Sequence, residues 1–594
     1  MSNFQEISRA LGELAKNPEQ NEAVRERGHC IVLAGPGSGK TKTLTTAMAR
    51  ALVEDVVDPR GVACITYNNE CAIELEGRLA TLGVVGGGRC FIGTVHSFAL
   101  TQVIMPYARC IPGLLPTEFR VATVAECRAA VETAYATISS DAADPHKRWS
   151  FASEKRRRDV DRSSPDWRGR NPELADFVEA YEAELRRRGL IDFEDMPLIA
   201  FRLIKDFVWI RSALRARFPV LFVDEYQDLG HALHELVLLL CFKAEIRLFA
   251  VGDADQSIYG FAGANPDLLQ SLTARPDVRV VRLRFNYRSG SKIIRASMGA
   301  LGEERDYRSP ESAPEGELTF WKVQGGIDRQ AEAIASTVLP ALLERHPREQ
   351  VAILYRAAWL GDKIALSLDG EGIPYARTDG NALIKRSSRL ARFIEACACW
   401  VTGGWREADP PYERLLNQAQ SLVFNRRTND AEETLLSQQL ISFLRRKKEP
   451  IGSTHSWLKQ FELDLIGSWK KVTRNPHAEW EVCADLIQKT DPAGGKDMPL
   501  NVFAGRILGS GRVNMSTLHS AKGREFDAVI LFGMNDGDIP SARDKKSSAG
   551  LREARRLFYV GVTRPRKELS IVYQDGNHSP WVAELYARSQ QTDE

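Results

Sequence analysis

The chain has 594 residues, with 80 lysines and arginines against 78 aspartates and glutamates, a formal net charge of +2. That length exceeds one core and fits roughly three to five domains, and so even a charge balance neither requires nor forbids a polyanionic partner, since only distribution decides that. No apolar run approaches the roughly 20 residues of a membrane span; Met1–Glu6 lacks the basic and apolar regions of a signal peptide; and ten scattered cysteines without a C-x-x-C argue against a disulfide framework, a zinc ribbon or an iron–sulfur cluster. These features predict a cytoplasmic protein with reduced cysteines and no membrane partner.

In chain order, strand-like apolar runs occur at Cys30–Ala34, Val62–Tyr67, Val220–Val223, Arg247–Val251 and Val278–Leu283, with helical patterns between them such as Thr41–Val53. This alternation predicts an α/β fold with a parallel sheet covered by helices on both faces. A helical, charged stretch from about Pro106 to Asp192, carrying Lys155-Arg156-Arg157-Arg158 and Arg186-Arg187-Arg188, interrupts the series. A second series follows at Leu318–Val323, Gln350–Tyr355, Val513–Ser516, Asp527–Phe532 and Leu569–Tyr573, broken by a helical stretch over roughly 390–504 with Arg445-Arg446-Lys447-Lys448. The basic runs read either as solvated helix faces or as contacts to an anionic partner.

Two short runs carry the chemistry. Ala34-Gly35-Pro36-Gly37-Ser38-Gly39-Lys40-Thr41 lies between a predicted strand and a predicted helix. Its glycines let backbone N–H groups turn around phosphates at a helix N-terminus, Lys40 reaches the β/γ-phosphates, and the Thr41 hydroxyl ligates magnesium. Val223-Asp224-Glu225-Tyr226-Gln227-Asp228 follows another strand; Asp224 is placed to hold the metal and Glu225 to polarise the attacking water. Together they predict Mg2+-dependent hydrolysis of a nucleoside triphosphate.

Further motifs stand in a fixed order: Asn17-Pro18-Glu19-Gln20, Ile65-Thr66-Tyr67-Asn68-Asn69, Gly93-Thr94-Val95-His96-Ser97-Phe98, Asp192-Phe193-Glu194-Asp195-Met196, Gly252-Asp253-Ala254-Asp255-Gln256-Ser257-Ile258-Tyr259, Asn286-Tyr287-Arg288-Ser289, Thr517-Leu518-His519-Ser520-Ala521-Lys522-Gly523-Arg524-Glu525-Phe526 and Val562-Thr563-Arg564. With these the chain resembles the UvrD/Rep/PcrA-like DNA helicases of superfamily 1A. The resemblance implies two RecA-like P-loop cores, each with a mainly helical insertion: core 1A over 1–105 and 192–290, insertion 1B over 106–191, core 2A over 291–389 and 505–594, and a reduced insertion 2B over 390–504. It implies ATP and Mg2+ as cofactors. Gln20 would read the adenine edge, Tyr287 stack on the base, Lys42 and Glu525 join the ATP site, and Gln256 sense the γ-phosphate. Arg288 and Arg564 would add positive charge for catalysis.

The same resemblance places Tyr67, Asn69, Thr94, His96, Tyr259, Phe261 and His519 on single-stranded or partly duplex DNA, with translocation 3′ to 5′. Core packing at a strand end is the other reading of Tyr67. Where the family has Trp-Arg at the end of motif III, this chain has Phe261-Ala262. That departure predicts a weaker grip on the strand. The chain also resembles compact UvrD-like proteins that stand beside an ATPase–nuclease in bacterial antiphage systems such as Gabija. The stretch after motif VI leaves no room for a fused nuclease, so a separate nuclease or ATPase partner is expected. The alternatives are therefore a helicase of repair or defence, a DNA-sensing regulatory ATPase subunit, and a P-loop NTPase unrelated to DNA.

Overall fold

A computed structural model describes residues 2–67, 69–84, 89–116, 118–139, 143–169, 171–260, 263–384, 388–407, 410–424, 429–446, 452–473, 479–494, 497–504 and 511–590. The chain divides into two compact units, the first Met1–Arg288 with Arg305–Ala313, the second Ser289–Glu304 with Pro314–Glu594. No helix among the described residues is long and apolar enough to cross a membrane.

In the first unit the strands are β1 (His29–Ala34), β2 (Val62–Thr66), β3 (Cys90–Thr94), β4 (Arg120–Val121), β5 (Leu190–Ile191), β6 (Val220–Val223), β7 (Arg247–Gly252) and β8 (Val278–Leu283). Six of them form a parallel sheet in the order β3-β2-β6-β7-β1-β8. Alternate residues enter opposite cores: Ile31, Ile65, Leu221 and Val223 pack on one face, and Cys30, Val32, Cys64 and Phe222 on the other. Burial on both faces explains why these strands read as continuous apolar runs. The sequence pattern missed β3, whose Gly93 breaks the apolar run; a Cβ there would come within 2.4 Å of Ser97 Oγ. The helix after the P-loop spans Lys40–Arg50 and continues as a π-turn over Ala51–Asp55.

The stretch between β3 and β6 is mostly helical, with its own core of Val131, Trp167, Phe177, Val178, Tyr181 and Leu185, and a two-stranded β4-β5 ladder at its root. Here the solvated-face reading of the basic run is corrected. Arg156 is buried, donating to Glu182 (3.0 Å), Asp192 (2.7 Å) and Asp195 (2.6 Å), while Lys155 is buried against Asp159 and the Trp167 ring. Only Arg157 and Arg158 of that run are exposed. Arg186 binds Asp195 at the return to the first core, and Arg187 and Arg188 bind Glu184 and Thr133 within the insertion. Of the third run, Lys447 and Lys448 lie outside the described residues.

The second unit carries β9 (Glu317–Val323), β10 (Val351–Tyr355), β11 (Tyr375–Arg377), β12 (Val513–Thr517), β13 (Phe526–Phe532) and β14 (Pro565–Gln574), parallel in the order β11-β12-β10-β13-β14-β9. The three-residue β11 is too short for a periodic signal. Helices between β11 and β12 enclose a separate core of Leu390, Phe393, Leu440, Phe443, Phe461 and Trp469. The fold is thus the expected α/β type: two parallel sheets, each unit with a helical insertion.

Candidate active site

The carboxyl ends of β1, β6, β7 and β8 lie side by side, and each is followed by a motif. A parallel sheet collects ligand-binding turns at this edge. After β1, Gly37 and Gly39 adopt φ of 70° and 84°, which glycine takes without steric cost. A Cβ on Gly37 would meet Asn286 Oδ1 at 2.3 Å and the Arg288 Cβ at 2.6 Å, so the turn after β8 lies against the P-loop. Ser38 Oγ donates to Gly35 O (2.8 Å), and Lys40 Nζ donates to Ala34 O (3.1 Å) and Gly35 O (3.2 Å). Thr41 is the second residue of the helix Lys40–Arg50, whose N-terminus faces this turn. Lys42 is turned outward, its ammonium on Glu13 at 2.7 Å.

After β6, Asp224 is buried, and that burial, with Glu225 beside it, pushes its carboxyl up to about 7 against the pull of Lys40. Glu225 N donates to Asp224 Oδ1 (3.0 Å). Glu225 itself has φ of 49°, a left-handed conformation uncommon for a non-glycine residue and found where surrounding structure enforces it at functional sites. Gln227, wholly buried, holds its side chain: the Gln227 amide N–H donates to the Glu225 carboxylate while its Oε1 accepts from Asp253 N (2.8 Å). Burial also raises Asp253, to about 6, opposed by Lys40. Gln256 Nε2 donates to Asp253 Oδ2 (2.5 Å). A relay therefore runs Glu225, Gln227, Asp253, Gln256.

On the opposite flank Asn17 caps the helix Pro18–Arg25 and donates Nδ2–H to the Tyr287 hydroxyl (2.7 Å). Gln20 Nε2 donates to Ser38 O (3.0 Å), and Tyr287 N donates to Gly37 O (2.8 Å). Tyr287 is half exposed and lies near-parallel to Phe285. Arg288 N donates to Asn286 Oδ1 (2.8 Å). Gln20, Tyr287 and Arg288 thus share the P-loop surface with Lys40.

A groove of 530 Å³ in the same unit is lined by Tyr67, His96, Glu154, Arg157, Arg158 and Glu194, with others. Its walls come from the ends of β2 and β3 and from the insertion helix Pro145–Arg158. Tyr67 stacks on Tyr259, ring centroids 4.7 Å apart at 20°; desolvation lifts the Tyr67 phenol to about 12. Exposed Phe193 meets the His96 ring edge-on, and burial lowers the His96 imidazole below its ordinary range. Thr94 caps the following helix turn, accepting from Ser97 N. The Asn69 side chain, Phe261 and Ala262 lie outside the described residues.

Residues 16–277 match the family model described as UvrD/REP helicase N-terminal domain, and residues 504–576 match that of the UvrD-like helicase C-terminal domain. The chain belongs to the UvrD/REP helicase family. It is similar to the ATP-dependent DNA helicase PcrA of Leuconostoc citreum, 27% identical over 93% of this chain and 81% of that protein. It is similar also to DNA helicase II of Escherichia coli strain K12, 26% identical over 94% of this chain and 84% of that one. The ATP-dependent DNA helicase UvrD2 of Mycobacterium tuberculosis is 27% identical over 93% of this chain and 78% of its own length.

Three expected residues of this UvrD-like chain sit in the second unit. Arg564 is buried, its guanidinium donating to Val560 O (2.9 Å), Arg524 O (3.3 Å) and Thr563 Oγ1 (3.0 Å). Glu525 pairs with Arg566 (2.9 Å). His519 is partly buried; desolvation, aided by Arg356, lowers its imidazole to about 4. Sequence reasoning overlooked Gln227, Asp253 and Asn286. All three stand inside the motifs, next to residues that carry the chemistry, but their role is to hold neighbours, which no linear pattern displays.

Proposed function

We propose that the chain is an ATP-dependent translocase and helicase acting on single-stranded or partly duplex DNA, with 3′ to 5′ polarity, in DNA repair or antiphage defence. The observation that carries the reading is that the segment following β7 serves both sites. The relay from Glu225 through Gln227 and Asp253 ends at Gln256, three residues before Tyr259, which stacks on Tyr67. Hydrolysis at one end and a strand at the other would bias the same turn. Helicase relatives named ATP-dependent support ATP as the nucleotide.

The residues fit ATP with Mg2+. A buried carboxylate such as Asp224, costly to ionise alone, suits a cation, and Thr41 stands at the helix N-terminus facing the same turn. Thr41 and Asp224 would hold Mg2+, which supplies positive charge at the phosphates. Lys40 and Arg288 add charge from the P-loop surface. Glu225, held by Gln227, orients the attacking water and takes its proton. Tyr287, fixed by Asn17, offers its ring to the base beside Gln20. In the groove, Tyr67 and Tyr259 supply stacking of about 1–3 kcal/mol per base, and Arg157 and Arg158 reach phosphates.

The test is ATP turnover with and without single-stranded DNA. Glu225→Gln retains ATP binding and loses turnover by about 100-fold or more, and wild-type turnover rises with DNA in a salt-sensitive way. Turnover near wild type in Glu225→Gln, or a rate indifferent to DNA, refutes the reading. A second reading, a DNA-sensing ATPase subunit that controls a separate nuclease with little unwinding, is favoured by Phe261-Ala262 at the end of motif III. Displacement of a 3′-tailed duplex by the isolated chain supports the helicase; DNA-stimulated hydrolysis without displacement supports the regulatory subunit.

A further inference from the structure

Residues 305–313 belong to the first unit although the segments on either side belong to the second. The return is anchored beside β8: Arg308 N donates to Arg284 O (2.9 Å), Asn286 N donates to Arg308 O (2.9 Å), and Phe285 and Arg308 form a parallel bridge. This short strap sets two side chains on two different loops of the nucleotide site. Arg305 grips Asp255 with both arms of its guanidinium, Nε to Oδ2 at 2.7 Å and Nη2 to Oδ1 at 2.8 Å. Asp255 belongs to the single turn Ala254–Gln256, and its own N–H donates to Asp253 Oδ1 (3.0 Å). Two residues further on, the Tyr307 ring lies on Gly35 of the P-loop, so close that a Cβ on that glycine would come within 2.4 Å of the ring.

We propose that this strap positions both nucleotide loops: Arg305, acting through Asp255, holds the turn that presents Gln256, and Tyr307 holds the P-loop at Gly35. The inference rests on the ATPase reading above. Asp255 is mostly shielded from water, its side chain 13% exposed, so a two-pronged, charge-assisted pair there fixes geometry as well as charge. Without Arg305 the Asp255 carboxylate would face Asp253, whose ionisation it already disfavours, and the Asp253–Gln256 hydrogen bond would loosen. Tyr307 acts on ground-state binding, because its ring touches the phosphate-cradling turn at Gly35. Each strap residue therefore governs a different kinetic parameter.

The experiment is steady-state ATP hydrolysis by the full chain at saturating single-stranded DNA. Arg305→Ala is expected to lower kcat about fivefold or more with KM for ATP within about twofold of wild type, and Tyr307→Ala to do the reverse, while Tyr307→Phe, which keeps the ring, retains the wild-type KM. Arg305→Ala and Asp255→Asn should not multiply: the double variant loses no more kcat than the worse single one, as for two halves of one contact. Arg305→Lys, which keeps the charge but not the fork, gives a smaller loss in the same direction and serves if the alanine variant does not fold. An unchanged kcat in Arg305→Ala and Arg305→Lys, multiplicative losses in the double variant, or an unchanged KM in Tyr307→Ala overturns the proposal. Those results with a wild type that hydrolyses ATP defeat the strap alone; a wild type that does not hydrolyse ATP defeats the underlying reading.

Discussion

Replacing Arg156 by methionine separates structural from strand-binding arginines within one basic run. The guanidinium is 1% exposed and meets three carboxylates. Removing one partner of a buried ion pair costs about 3–5 kcal/mol, because a charge is left uncompensated. Two of the carboxylates keep other cations: Glu182 retains Arg162 (3.0 Å) and Arg202 (3.3 Å), and Asp195 retains Arg186 (2.8 Å). Asp192 keeps hydrogen bonds from the Tyr181 hydroxyl (2.8 Å) and Asp195 N (2.8 Å). The uncompensated charge therefore falls on Asp192, and the loss should be near the lower end, about 3 kcal/mol. In urea, at slopes of about 1–3 kcal/mol/M, that moves the first unit's midpoint down by about 1 M or more. Adding Asp192→Asn should recover part of the loss. The double variant Arg157→Ala/Arg158→Ala, in contrast, should cost under about 0.5 kcal/mol of stability while lowering the salt slope of DNA binding by about 2. An Arg156→Met variant within about 1 kcal/mol of wild type, or one that lowers the salt slope as the exposed pair does, refutes the reasoning.

Two further outcomes are expected. Gly37→Ala places a methyl group in a left-handed turn, costing about 1–2 kcal/mol, and displaces the Asn286 amide oxygen that accepts from Arg288 N (2.8 Å), about 1 kcal/mol more. ATP affinity measured by fluorescent-nucleotide titration should fall about 30- to 150-fold, and a loss under about threefold would contradict the packing of Asn286 on the P-loop. His519, held down to about 4 in the folded chain, takes its proton in the unfolded chain first as pH falls from its ordinary value of 6.5. Stability of the second unit should thus be full above pH 6.5 and drain away towards pH 4. His519→Gln should flatten that slope in urea midpoints taken across the window.

The P-loop and the Asp224–Glu225 pair were legible in the sequence because each is one short run on a turn at a strand end. Spacing, glycine content and flanking apolar residues specify such a turn locally, and the doubly buried strands announced themselves as continuous apolar runs. Strands β3, β4, β5 and β11 escaped notice, β3 because Gly93 interrupts it and the others because they are only two or three residues long. Whether a basic residue faces water or carboxylates was not legible. Arg156 and Arg157 are neighbours with opposite fates, decided by carboxylates 26 to 39 residues further along the chain. The same holds for Tyr67, whose ring finds Tyr259, and for Tyr307, which returns from a stretch without any motif to cover Gly35. Sequence by itself determined the chemistry that a contiguous turn can hold. Tertiary structure alone decided which side chains support it, because burial and long-range pairing are properties of how distant segments pack.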